Sequence, residues 1–366
     1  MAIVTSKDVD GASEWRIDDE VTQLREWGSV AVHAMPATAG DHIIGAAEGC
    51  WLRLVDPTAR ISRQHAKLTR IQGRWAIKDM RSKNGTRLDG ALRGAFAVTP
   101  GIEIGLGGVT LIAESARWCA LREIVARLIG WSEDRRGEVD LALRSVRVAA
   151  TRRETLLLCG DGDLVSVARL LHRHALGDDR PFILCDPRRR PTNPKARATV
   201  FPGGPDALAA AAGGTLCVWR NRQPIRFAEV VGAIREPDSR VQLVVCSRTL
   251  LHGEPVIASP IILAPLARRA SELDRIIDAY AADAIAEIGG AFRPADRAWV
   301  RTNEAGTLSQ IEVATRRLIA LRSASGAVAR AAQQLGLSHG TLSEWLARRT
   351  LPDMRSDGPA RRLRNA

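Results

Sequence analysis

Two short stretches, ISRQHAKL and KDMRSKNGTRLDG, bring Ser62, Arg63, Ser82, Lys83 and Asn84 into neighbouring positions of the chain. Hydroxyl, guanidinium, ammonium and amide groups are all donors. A phosphate group, with its strongly accepting oxygens and its charge, is a ligand that such donors suit. Loops at one end of a rigid sheet can present them together. A second constellation closes the sequence: GAVARAAQQLGLSHGTLSEWLARR reads as a helix, a tight turn at Gly336, and a second helix opened by Ser338 as its N-cap. Val328, Ala331, Ala332, Leu335, Leu337, Leu342, Trp345 and Leu346 are spaced to pack those two helices at a sharp angle, the helix-turn-helix signature. The six cysteines show no C-x-x-C pair and no His at metal-ligand spacing, so no metal centre and no cofactor is expected.

The elements that must position these groups follow from periodicity. From residue 14 to about residue 113, short apolar runs alternate with Gly, Asn, Asp and Pro, which predicts an all-β sandwich. Leu121, Ile124, Val125, Leu128 and Ile129 then share one helical face, read as a linker helix over 116–138. Between 139 and 300 strands such as TLLLCG, PFILCD, GTLCVW and VQLVVCSR alternate with helices. That pattern predicts a parallel sheet covered by helices. Residues 301–351 read as all-α, and 352–366 as a basic tail bearing Arg355, Arg361, Arg362 and Arg364.

With 366 residues, 45% of them hydrophobic, the chain can bury several cores. Its net charge of +12 points to an anionic partner. That charge is uneven: residues 1–115 are neutral, 116–300 carry +6, and the much shorter 301–366 also carries +6. Neither a signal peptide nor a membrane span is apparent, and a cytoplasmic location is expected, with no membrane partner.

The N-terminal motifs resemble the forkhead-associated (FHA) family, whose pattern is Gly-Arg, then Ser-Arg-x-His-Ala, then Asp-x-x-Ser-x-Asn-Gly-Thr. Ser62, Arg63, His65 and Ala66 match the middle block, and Asp79, Ser82, Asn84, Gly85 and Thr86 the last. The resemblance implies a phosphothreonine-reading sandwich in which Ser62 and Ser82 contact the phosphothreonine and Arg63 and Lys83 lie near it. Asn84 would hold the peptide backbone, and His65 would be structural. The first block departs from the pattern: Ile44 and Gly45 are followed by Ala46 where the phosphate-binding arginine stands. Losing that guanidinium removes a contact of about 1.5–3 kcal/mol. Docking of a protein without phosphate therefore stays open.

The middle segment resembles the AAA+ domain of sigma-54-dependent enhancer-binding activators in the order of its landmarks, from TLLLCGDGDLVSVARLL through AAAGGTLCVW to IILAPLARR. The P-loop-like scaffold is degenerate. Gly160, Asp161, Gly162, Asp163 and Leu164 lack the lysine of a Walker A loop, and Trp219 and Arg220 occupy the places of the metal-holding carboxylates. The segment between Pro187 and Ala212 is short and lacks the sigma-gripping loop, and no sensor arginine stands near Gly306. A pseudo-ATPase, hence no enzyme, is expected, acting as a spacer or as a regulatory module. Arg188, Arg189, Arg190, Lys195 and Arg197 read as a solvated basic loop or as extra DNA-backbone contacts.

The C-terminal pair of helices resembles the factor-for-inversion-stimulation (Fis) type that ends the same activators. By position, Ser338, His339, Gly340, Thr341, Ser343 and Glu344 fall to the groove or phosphate side of double-stranded DNA, and Arg348 and Arg349 to its backbone. Helix 308–322 is expected to pair two copies as a homodimer. The expectation for the whole is a multidomain, DNA-binding transcriptional regulator that docks a phosphothreonine-bearing protein without ATP hydrolysis. The alternative is a protein-docking adaptor or scaffold in Ser/Thr-kinase signalling with vestigial DNA binding, and the helix pair itself stays open to being a hairpin in a protein interface.

Overall fold

The computed structural model describes residues 19–353 apart from 39, 153, 162, 189–198, 237 and 250–259. The tail from 354 onward, Gly162, and the basic run Arg189, Arg190, Lys195 and Arg197 lie outside the described residues. The chain forms two compact bodies. One takes the residues up to 159 together with 167–262, and the other takes 160–166 and the residues from 263 onward.

The first body opens with a β-sandwich. One sheet has the order β2-β1-β11-β10-β7-β8, from Val32–Ala34, Val21–Glu26, Val109–Ser115, Glu103–Leu106, Thr86–Leu88 and Ala91–Leu92. The other is β4-β3-β5-β6-β9, from Leu52–Arg53, His42–Gly45, Ala66–Ile71, Arg74–Asp79 and Ala95–Ala97. Alternation in β5 and β6 sends Ala66, Leu68, Trp75 and Ile77 inward. There they meet Leu24, Ile44, Ile104, Leu106 and Leu111 from the facing sheet and from β3.

The other face of the first sheet is charged and yet buried. Arg25 pairs with Ile112 across β1 and β11, and Ile112 with Glu103 across β11 and β10, so Arg25, Glu103 and Glu114 share that face. Helices α1 (Ala116–Ile129) and α2 (Arg136–Arg152) carry its partners. The Arg25 guanidinium donates to Glu114 at 2.7 Å and to both oxygens of Asp140 on α2, at 3.1 and 2.5 Å. Side-chain exposures of 2%, 0% and 1% put this triad out of water. Arg144 clamps Glu103 and lies 4.7 Å from the centre of the Trp27 ring, and Arg147 bonds Asp89 at 3.0 Å. Ser115 caps α1 by accepting from the Trp118 N–H. Trp118 fills the space over Gly101, where φ is +82° and any Cβ would strike the indole. The helix read as a linker from 116 is thus one of a pair of helices packed with the sandwich.

Beyond α2, strands β12 (Leu156–Cys159), β13 (Phe182–Cys185), β14 (Thr199–Phe201), β15 (Thr215–Trp219), β16 (Gln242–Ser247) and β17 (Ile261–Ile262) form a parallel sheet in the order β14-β13-β15-β16-β12-β17. Helices α3 (Leu164–Ala175), α4 (Gly204–Ala210) and α5 (Phe227–Arg235) connect its strands. Unbroken apolar runs such as the fully buried LLLC of β12 are what a sheet covered on both faces requires.

The second body contains α6 (Leu273–Ile288), α7 (Pro294–Asn303), α8 (Leu308–Ser323), α9 (Val328–Leu335) and α10 (His339–Ala347). Here the helical part starts earlier than the boundary expected at 300, because α6 packs its Ala281 and Ala284 against Ile319 of α8. Asp296 of α7, fully buried, receives Arg322 of α8 through two bonds of 2.6 and 2.7 Å. The apolar residues of α8, which were expected to pair two copies, are buried within this body, with Val313 its exposed large apolar side chain. No helix among the described residues is long and apolar enough to cross a membrane. No group of three or more His, Cys, Asp or Glu residues among them could hold a metal ion.

Candidate functional site

The loops at one end of the sandwich are built around His65, which is fully buried. The Ser62 N–H donates to its Nδ1 at 3.1 Å, so the ring proton sits on Nε2, 3.3 Å from the Gly85 carbonyl. One imidazole thereby ties the loop before β5 to the loop before β7. Gly45 lets β3 pass directly beneath: a Cβ there would collide with the carbonyl of Arg63, while the Ala46 and Ala47 N–H groups donate to the Ser62 and Arg63 carbonyls at 3.1 Å each.

Two carboxylates shape these loops from inside. Asp56 accepts from the Thr58 hydroxyl at 2.6 Å and from the N–H groups of Thr58, Arg60 and Gly108. The Thr58 hydroxyl above all, with those amides, holds its carboxyl far below the usual range despite some desolvation. Asp79 accepts from the Ser82 hydroxyl at 2.7 Å, the Thr86 hydroxyl at 2.9 Å and the Ser82 N–H at 3.1 Å. Burial works against its charge, yet these donors outweigh it and keep the carboxyl low.

The residues singled out in the sequence do meet here, in unequal states. Ser62 Oγ accepts the Lys83 N–H at 3.0 Å, which fixes the oxygen and leaves its own proton free to point outward. Arg63 and Lys83 are exposed, and neither side chain is paired with a carboxylate among the described residues. Ser82 differs from expectation: its proton is committed to Asp79, so it reaches a phosphate only by giving up that bond. The Asn84 amide donates to the Arg60 carbonyl at 2.8 Å, which orders the loop and leaves its own carbonyl oxygen for a ligand N–H. Ala46, half-buried against the core, supplies no charge.

In the second body, α9 ends at Gly336 in the left-handed region (φ +65°) and α10 begins after Ser338. Ser338 Oγ accepts from the Thr341 N–H at 3.1 Å and lies 2.8 Å from its hydroxyl. His339, Gly340, Thr341 and Glu344 are exposed, and Ser343 lies 3.4 Å from His339 Nδ1. Arg348 is exposed and unpaired among the described residues, as is Arg330 on α9, which sequence reasoning passed over. Arg349 is differently placed from the backbone contact expected of it: it bonds Glu304 and the Trp345 carbonyl and stacks on the Trp345 ring at 4.8 Å. It holds the end of α10 to the body and is not free for an outside phosphate.

The family model of the FHA domain matches residues 42–107. No curated protein matches the chain. Among solved structures, the FHA domain of FhaA complexed with the intracellular domain of Rv3910 is 26% identical over 25% of this chain and 96% of its own, with a TM-score of 0.23. An FHA domain of an Arabidopsis thaliana hypothetical protein is 26% identical over 26% of this chain and 86% of its own, with a TM-score of 0.23. Mycobacterium tuberculosis EmbR in complex with a low-affinity phosphopeptide is 23% identical over 26% of each chain, with a TM-score of 0.24. The segment that carries Ser62, His65, Asp79 and Asn84 on its loops, residues 42–107, is thus an FHA domain.

Proposed function

We propose that this chain is a regulator, not an enzyme, that docks a phosphothreonine-bearing protein through its FHA loops and double-stranded DNA through α9 and α10, without hydrolysing ATP. The observation that carries the reading is the state of Ser62: an oxygen fixed by the Lys83 N–H, with a free proton, beside Arg63 and Lys83, whose side chains pair with no carboxylate among the described residues. A phosphate can accept from that hydroxyl and sit between those charges without disturbing the His65 and Asp79 bonds that shape the loops. Titration of the full chain with a fluorescent phosphothreonine peptide library tests it. Binding should vanish after phosphatase treatment and weaken in Ser62→Ala. Binding indifferent to dephosphorylation refutes it.

Support for DNA rests on the turn at Gly336, the cap at Ser338 and the exposed first turn of α10, together with the exposed Arg330 on α9 and Arg348 at the far end of α10. Affinity for a random duplex pool should fall steeply with salt. The internal commitment of Arg349 favours a second reading, a docking adaptor that binds no DNA. A chain that retains the phosphopeptide but ignores the duplex at low salt would establish it.

A further inference from the structure

The parallel sheet of the first body ends in arginines. β13, β15 and β16 are neighbours that run the same way, with Cys185 beside Val218 and Trp219 beside Cys246 in register, so their C-terminal ends leave by one edge. Just past those ends come Arg188, the turn Arg220–Arg222, and Arg248. Such an edge is where parallel sheets bind ligands.

The carboxylate among these strand ends is already spent. Asp186 is fully buried and accepts from the Arg188 N–H at 3.0 Å and from a terminal amino group of Arg222 at 3.1 Å. That ion pair fixes the Arg222 guanidinium but leaves its Nε–H buried with no acceptor. A buried donor with no acceptor is destabilising, because it has given up water without gaining a partner. A ligand oxygen placed there would satisfy it. Arg188 and Arg248 are exposed and unpaired among the described residues. Arg220 sits close enough to Cys159, at the end of β12, to oppose by its charge the rise that burial imposes on that thiol.

We infer that this edge is an anion site for a diphosphate group of a small molecule, with Arg222 Nε as its fixed donor and Arg188 and Arg248 on either side. Three adjacent strand ends span roughly 10 Å, room for two linked phosphoryl groups and more than one needs. Guanidinium groups suit phosphate oxygens by their forked, permanently charged geometry. The site is one of binding only. It lies apart from the FHA loops and does not depend on the reading given above.

Calorimetric titration of the full chain with pyrophosphate, in buffer free of divalent cations, tests the inference. Arg248→Gln, at an exposed position outside any ion pair among the described residues, should weaken pyrophosphate about tenfold or more. Arg188→Gln should act in the same direction. Arg222→Gln should abolish binding, but it also removes a partner of the buried Asp186, so the two exposed variants, checked for unaltered circular dichroism, carry the test. Ser62→Ala should leave pyrophosphate untouched. ADP binding more tightly than pyrophosphate would identify a nucleotide as the source of the group, and equal affinity a free diphosphate; either supports the site. No pyrophosphate binding, binding unchanged in Arg248→Gln, or binding lost in Ser62→Ala overturns it. A duplex that loses affinity in Arg248→Gln while pyrophosphate does not would also overturn it, by making this edge a nucleic-acid surface.

Discussion

Replacing Arg25 by alanine should be among the most damaging single changes to the first body. Its guanidinium serves two buried carboxylates on elements far apart in the chain, Glu114 at the end of β11 and Asp140 on α2, and also the carbonyls of Glu26 and Ser29 at 3.1 Å. After removal, Glu114 keeps Arg122 at 3.2 Å and Gln23 at 2.8 Å. Asp140 keeps the Gly28 N–H at 2.7 Å. The larger part of the cost therefore falls on Asp140, a 1%-exposed carboxylate left with no ion pair among the described residues. Breaking a buried pair from one side costs about 3–5 kcal/mol. At roughly 2–4 °C per kcal/mol for a body of this size, the melting temperature should fall by about 6–20 °C. Tryptophan fluorescence on heating reads it directly, since Trp27 and Trp118 lie at this interface. Adding Asp140→Leu to Arg25→Met should recover much of the loss, because matched apolar groups tolerate burial. Lys67→Ala, which removes a half-exposed pair with Asp41, is the control and should cost under about 1 kcal/mol. An Arg25→Ala drop no larger than the Lys67→Ala drop refutes the reasoning.

Three further outcomes are expected. Ala46→Arg should tighten phosphothreonine peptides about 10- to 150-fold by restoring a charge-assisted contact of about 1.5–3 kcal/mol, read by anisotropy, with no gain for the unphosphorylated peptides. The Asp79 carboxyl is held below its unfolded value, so its stabilisation is full above the ordinary carboxylate range and fades as pH falls through the lowered value. Asp79→Asn should therefore be the less stable protein at neutral pH, and the gap in chemical denaturation should narrow below about pH 4; a gap constant with pH would count against the ionised carboxylate. Ser338→Ala, by removing the acceptor for the Thr341 N–H, should cost the second body about 1 kcal/mol in thermal unfolding.

The FHA loops were legible in the sequence because their residues act within short, ordered blocks: Ser62 with His65, Asp79 with Ser82 and Thr86. The turn at Gly336 and the cap at Ser338 were legible for the same reason, since both are local backbone chemistry. What escaped was long-range. Gln23 and Arg25 flank Leu24 in β1, and such alternation reads as a strand with one wet face. Asp140, 115 positions further on, makes that face dry. Arg349 looked like a phosphate contact because Glu304, its partner, lies 45 residues away. Charge is legible in a sequence, but whether a charge is already answered is a property of the fold.

The way Trp118 and α2 close over the sandwich also bears on how the FHA domain can be isolated. A fragment cut at residue 115, where the β-pattern stops, would lose the indole that fills the space over Gly101 and would strand Arg25, Glu103 and Asp89 without their partners on α2. A piece that keeps these partners must run through α2, past Arg147. A library of truncations should show soluble, cooperative expression switching on only when that second helix is included.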